Sequence, residues 1–199
     1  MFSGIIEQTA LVTQIKPSQA GITLDLKIDL NDDLALGESV ACDGVCLTVT
    51  DWNRNEKRAQ FFLSDETLTR SHFKNIKSQN LINIERSVKF GDRMSGHWVQ
   101  GHVDGVGTVS SILKVGDSQE LKITLPVNLK KYCVEKGSIT VQGVSLTINS
   151  IEGDIVSLMI IPHTWTVTTL SQLALGSLVN IEVDILAKYV EKLTRAVTQ

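Results

Sequence analysis

The chain has 199 residues, 42% hydrophobic and 21% charged, with a formal net charge of −3 at pH 7. It lacks the roughly 20 consecutive apolar residues that span a bilayer, and its acidic balance argues against a nucleic-acid surface, which is normally strongly basic. Met1-Phe2-Ser3-Gly4-Ile5-Ile6-Glu7 has no basic region and meets a charge too early for a secretory signal, so a cytoplasmic location is expected.

From the N-terminus, Ile22, Leu24, Leu26 and Ile28 alternate with polar residues, the period-two pattern of a half-buried strand. Gly37, Asp43-Gly44 and the 53–56 region supply turns. Asp43-Gly44 between alternating hydrophobics predicts a two-residue hairpin of type I′, because both central residues must take positive φ. Its register then opposes Cys42 to Val45, Ala41 to Cys46, Val40 to Leu47 and Ser39 to Thr48. One face is Val40, Cys42, Val45 and Leu47, suited to a core. The other is Ser39, Ala41, Cys46 and Thr48, small and able to hydrogen-bond without a Lys or Glu, which suits a groove for a flat polar ligand. Cys42 and Cys46 point to opposite faces and cannot bridge. With Cys133 they form no CxxC, so neither a disulfide framework nor a zinc site is expected.

The pattern then repeats. Ile82-Asn83-Ile84-Glu85 returns 97 residues on as Val179-Asn180-Ile181-Glu182, and Asp43-Gly44-Val45-Cys46-Leu47-Thr48 returns as Gln142-Gly143-Val144-Ser145-Leu146-Thr147. Gly4 falls on Gly101. Matches in one order at nearly one offset identify a tandem duplication. The second hairpin sorts likewise, with Ile139, Val141, Val144 and Leu146 on one face and Ser138, Thr140, Ser145 and Thr147 on the other. Short strands at this spacing predict an all-β chain: two tandem homologous six-stranded Greek-key barrels, residues 1–97 and 98–185, with an amphipathic α-helix and tail at 186–199. In that tail Leu186, Tyr189, Val190, Leu193 and Val197 share one face after Asp184, a good N-cap type. The stripe either packs on its own barrel or pairs with copies of itself. His97 and His102 are five apart, which in a strand sends them to opposite faces, and no metal site is expected.

The motifs Met1–Glu7, Gly44-Val45-Cys46-Leu47-Thr48-Val49-Thr50, Gly96-His97, Gly101-His102-Val103-Asp104-Gly105, Gly143-Val144-Ser145-Leu146-Thr147 and Ile161-Pro162-His163-Thr164 closely resemble the alpha-chain type of riboflavin synthase. The resemblance runs from Met1 to about Leu193. It implies a dismutation of two 6,7-dimethyl-8-ribityllumazine molecules, one giving four carbons to the other, with riboflavin and 5-amino-6-ribitylaminouracil as products. It implies no metal or redox cofactor. It implies a homotrimer whose site lies between the N-terminal barrel of one subunit and the C-terminal barrel of another, and it raises lumazine synthase as a further partner. A non-catalytic, antenna-type lumazine- or flavin-binding protein of the same fold is the rival reading.

Carried over by position, the N-terminal half-site is Gly4, Ile5, Ile6, Ser39, Cys46, Leu47, Thr48, Phe62, Leu63, Ser64, Asp65, Glu66 and Thr67. The C-terminal half-site is Gly101, His102, Val103, Lys136, Ser145, Leu146, Thr147, Ile161, Pro162, His163, Thr164, Trp165 and Thr166. Phe2 and Asp184 match further family positions. Cys46, Ser39 and Thr48 are assigned to positioning a nucleophile or water and His102 to proton transfer. The sequence departs from the family where Phe62 replaces a usual Asp, Ser64 a common Met, Gln142 a usual Asp and Ser95 a usual Gly.

Overall fold

A computed structural model describes residues 1–197, and their side chains as far as Thr194. The first barrel is built from β1 (Gln8–Ser18), β2 (Gly21–Lys27), β3 (Ser39–Cys42), β4 (Val45–Asn53), β5 (Arg58–Ser64) and β6 (Leu81–Arg86). The second uses β7 (Gly105–Val115), β8 (Ser118–Thr124), β9 (Ser138–Val141), β10 (Val144–Glu152), β11 (Ile155–Ile160) and β12 (Leu178–Val183). The first closes in the spatial order β1-β2-β5-β4-β3-β6, and the second repeats that order strand for strand. Each barrel is antiparallel throughout, a Greek key whose closure leaves no long open edge.

The predicted register is the observed one: Ser39 opposes Thr48, Val40 Leu47, Ala41 Cys46 and Cys42 Val45, and Ser138 opposes Thr147 in the second barrel. Asp43 and Gly44 turn with φ of 43° and 79°, and Gln142 and Gly143 with 50° and 79°, both pairs left-handed as a type I′ turn requires. Val40, Cys42, Val45 and Leu47 join the first core with Leu24, Leu26 and Phe61. A separate core holds Ile139, Val141, Val144 and Leu158, with Leu146 packed half-buried against it. Burial pushes the Cys42 thiol well above its usual pKa, as befits a core residue.

The barrels meet about a pseudo-twofold axis. Phe2 and Val99 exchange backbone hydrogen bonds across it, with N···O distances of 2.8 and 3.2 Å. The two hairpin turns abut so closely that a Cβ on Gly44 would lie 2.7 Å from the Gly143 nitrogen, and the reverse holds for Gly143. The Asn83 side chain donates to the Gln142 carbonyl (2.8 Å) and accepts from the Thr169 amide (2.7 Å). Asn180 donates to the Asp43 carbonyl (2.9 Å) and accepts from the His72 amide (2.8 Å). Gln142 does in the second barrel what Asp43 does in the first: its side-chain oxygen accepts from the Asn180 amide at 2.7 Å, as the Asp43 carboxylate accepts from the Asn83 amide at 2.8 Å.

Short helices α1 (Asp65–Arg70) and α2 (Pro162–Val167) follow β5 and β11. Ser64 caps α1, its hydroxyl accepting from the Thr67 amide. After Asp184, α3 runs Ile185–Val197, and the Asp184 carboxylate accepts from the Leu186 amide. Its stripe does not pack on its own barrel: Leu186, Tyr189, Val190 and Leu193 are each about 60% exposed or more. The Val197 side chain and residues 198–199 lie outside the described residues. Polar contacts tether the helix instead, Lys188 to Asp104, and Lys131 and Tyr132 to Glu191.

Candidate functional site: two gaps with exchanged walls

In the first barrel β4 pairs with β3 from its start, but its ladder with β5 begins only at Val49–Phe61. Val45–Thr48 and Phe62–Ser64 therefore diverge and leave a V-shaped gap whose backbone groups do not pair with each other. Such groups need partners. Part of the need is met by residues 97–103, where the Gly101 carbonyl accepts from the Cys46 amide at 2.8 Å. The second barrel repeats this: the β10–β11 ladder begins at Ile148–Leu158, and the Gly4 carbonyl accepts from the Ser145 amide at 2.8 Å.

The walls are therefore exchanged between barrels. The segment leading into barrel two closes the gap of barrel one, with Val103 packed on the first core. The segment leading into barrel one closes the gap of barrel two, with Ile6 on the second core. This corrects the expected grouping. Gly101, His102 and Val103 stand with Ser39, Cys46, Thr48 and Phe62–Thr67, whereas Gly4, Ile5 and Ile6 stand with Ser145–Thr147 and the Ile161–Thr166 region. Matching positions along the chain could not reveal this, because the exchange is between copies.

Gly4 and Gly101 permit the close approach. Their φ values are 78° and 77°, and a Cβ would fall 2.6 Å from the Cβ of Ser145 and of Cys46 respectively. Behind the first wall Phe2 is fully buried against Ala41, Val99 and Cys46. The small-residue face is thus covered at its turn end, including Ala41 and Thr140, and open only towards Ser39–Thr48 and Ser138–Thr147. Thr48, Thr147, His102, Ile5, Lys136, Ile161, Pro162, His163, Thr166, Asp65 and Glu66 are exposed; Ser39, Cys46, Ser64, Thr67, Ser145, Leu146, Thr164, Trp165 and Asp184 are half-buried. Leu47 and Leu63 point into the core and offer the gap only their backbone. Phe62, 42% exposed, presents a ring at the mouth of the gap rather than a hydrogen-bonding side chain.

Three buried side chains that sequence reasoning did not select for the site organise these walls. His97, in the Gly96-His97 motif, places Nδ1 2.7 Å from the Ser145 hydroxyl and Nε2 3.1 Å from that of Thr140. Burial lowers its pKa, so the ring is held neutral and orients the Ser145 hydroxyl. Glu85 accepts from the Ser3 amide and hydroxyl and the Gly4 amide, and Glu182 from the amides of Gln100, Gly101 and His102, at 2.7 to 3.2 Å. Their signal was the repeated Asn-Ile-Glu, read only as evidence of duplication.

Burial raises the pKa of Glu85 and pushes that of Glu182 to about 6. A folded carboxyl that keeps its proton to about pH 6, when an unfolded one releases it near 4.5, takes up a proton on folding in that window. Stability is then expected to fall as pH rises from about 4.5 through 6, by up to about 2 kcal/mol from Glu182. Urea unfolding across that range should show this slope in the parent and a shallower one in Glu182→Gln, where Glu85 still contributes.

A cavity of about 760 Å³ lies among Glu7, Asp32, Asp33, Arg86, Lys89 and Arg93, and it reaches Ser3, Ile5 and Glu85.

Duplicated barrels with paired gaps of this kind define a lumazine-binding protein, and the family model for the lumazine binding domain matches residues 3–87 and again residues 100–184. The chain belongs to the riboflavin synthase family within it: it is 40% identical to the riboflavin synthase of Photobacterium phosphoreum, over 97% of this chain and 88% of that one, and 37% identical to that of Bacillus subtilis (strain 168), over 95% and 87%. Crystal structures of LumP complexed with riboflavin and with 6,7-dimethyl-8-(1'-D-ribityl) lumazine share the fold, with TM-scores of 0.85 and 0.82 at 24% and 22% identity. Each covers 92% of this chain and 99% of the other.

Proposed function

We propose that the protein is a riboflavin synthase that binds two molecules of 6,7-dimethyl-8-ribityllumazine, one at a gap of each type, and transfers four carbons between them. The presence of two equivalent gaps, each with unpaired strand backbone beside small hydroxyl or thiol groups, carries this reading, since the reaction needs two identical substrates. The donor leaves as 5-amino-6-ribitylaminouracil and the acceptor becomes riboflavin. Atoms balance between the two lumazines, so no external oxidant or cofactor enters.

The chemistry requires loss of a proton from a 7-methyl group and addition of a nucleophile to the other ring. Cys46, Ser39 and Thr48 share the hydroxyl-and-thiol face of the first hairpin, and His102 follows Gly101, whose carbonyl accepts from the Cys46 amide. The thiol and hydroxyls position the nucleophile or water, and His102 moves the proton. Cys46→Ser and His102→Gln are each expected to lower turnover about tenfold or more, measured as riboflavin absorbance. Full activity in both would remove these assignments.

The functional units are residues 1–97, 98–185 and 186–199, acting as a homotrimer in the cytoplasm. The exposed stripe of α3 supports subunit contact, and the reacting pair of gaps lies between neighbouring subunits. A lumazine synthase would supply the substrate. The deciding experiment gives the purified protein the lumazine alone and follows absorbance. Riboflavin and the uracil product should appear together in equal amounts. Tight binding without riboflavin would instead make this an antenna-type binding protein.

A further inference from the structure

Glu85 and Glu182 occupy the same place in the two barrels, near the ends of β6 and β12, and are only 4% and 3% exposed. Buried carboxylates are ordinarily paired with a cation. The hydrogen bonds of these two run instead to consecutive backbone N–H groups of a crossing segment, with the Ser3 hydroxyl added at Glu85. An ionised carboxylate suits this, having about four acceptor sites and no donor.

We propose that Glu85 and Glu182 are crossed positioning residues, each rooted in one barrel and fixing the wall of the substrate gap on the other. The inference rests on the lumazine-binding reading of the gaps. The linkage is continuous. Glu182 of barrel two holds the amides of Gln100, Gly101 and His102, and the Gly101 carbonyl then accepts from the Cys46 amide of barrel one at 2.8 Å. Glu85 of barrel one holds the amides of Ser3 and Gly4, and the Gly4 carbonyl accepts from the Ser145 amide of barrel two at 2.8 Å. Both glutamates lie behind the walls and leave the reacting atoms to others. A glutamine cannot replace them. One Glu182 oxygen serves Gln100 and the other serves Gly101 and His102, so an amide NH₂ at either place would face an N–H.

The pairing makes a prediction that ordinary loss of stability does not, because each variant carries an undisturbed gap as its control. Riboflavin, the unreactive product, is titrated into the full-length parent, Glu182→Gln and Glu85→Gln. Backbone amide resonances of Thr48 and Thr147 report the two gaps separately. Glu182→Gln should weaken binding at Thr48 about tenfold and leave Thr147 within about twofold, and Glu85→Gln should do the reverse. Glu182→Asp and Glu85→Asp, which keep the charge on a shorter arm, should show the same crossed pattern more weakly and stand in if a glutamine variant does not fold. Equal weakening at both gaps, weakening confined to the variant's own barrel, or unchanged affinity would each overturn the proposal. A parent in which riboflavin shifts neither threonine would instead overturn the lumazine-binding reading itself.

Discussion

Gly101→Ala is expected to cut riboflavin formation by about a hundredfold, the scale of effect that an ångström of misplacement has on catalysis. At φ 77° the residue is left-handed, which costs an L side chain about 1–2 kcal/mol. Strain alone would be tolerable. The decisive term is steric: the new methyl would sit 2.6 Å from the Cys46 Cβ, 2.9 Å from its backbone nitrogen and 3.0 Å from the Phe2 ring. None of these is the free end of a flexible chain, so the wall must lift. Lifting breaks the Cys46-to-Gly101 hydrogen bond and carries His102 away from the gap. Gly116→Ala is the control, left-handed at φ 61° with nothing within 4 Å of its Cβ. It should lose about 1 kcal/mol of stability and keep its turnover. Equal turnover in the two variants would show that this close approach is not needed for catalysis.

Asn180→Ala should destabilise the fold by about 2–6 kcal/mol, because it strips partners from two groups at once. The Asp43 carbonyl loses its donor and the His72 amide its acceptor, at a site where Asn180 is 1% exposed. Each orphaned buried group costs about 1–3 kcal/mol. The loss falls on the contact between barrels, since each barrel keeps its own hydrophobic core. Urea unfolding of the variant should therefore separate into two transitions where the parent shows one. A single transition at the parent's midpoint would mean that the asparagine network does not couple the barrels.

Much of this was readable from residues. Asp43-Gly44 announced a type I′ hairpin, and that turn alone sorted Val40, Cys42, Val45 and Leu47 from Ser39, Cys46 and Thr48, because strand side chains alternate strictly. The duplication was legible because two copies of one barrel need the same glycines, the same alternation and the same Asn-Ile-Glu. The apolar stripe of α3 was legible from its spacing, though spacing left open what it faces.

What the sequence could not give is which copy each crossing segment serves. Residues 1–6 and 97–103 lack the alternation of a strand except for the Phe2–Val99 bridge, so no local pattern states their partners. Their destination is set by where β4 leaves β5 and β10 leaves β11, which exists only after both barrels have closed. The roles of Glu85, Glu182 and His97 were hidden for the same reason. A carboxylate or imidazole is defined by what surrounds it, and here the surroundings are amides and hydroxyls brought from distant parts of the chain. The sequence thus determined two barrels, their hairpin register and the residues offered to a ligand. Only the tertiary structure decided that each gap is completed by the other barrel's leading segment, because a strand edge is filled by whichever backbone the closed fold brings beside it.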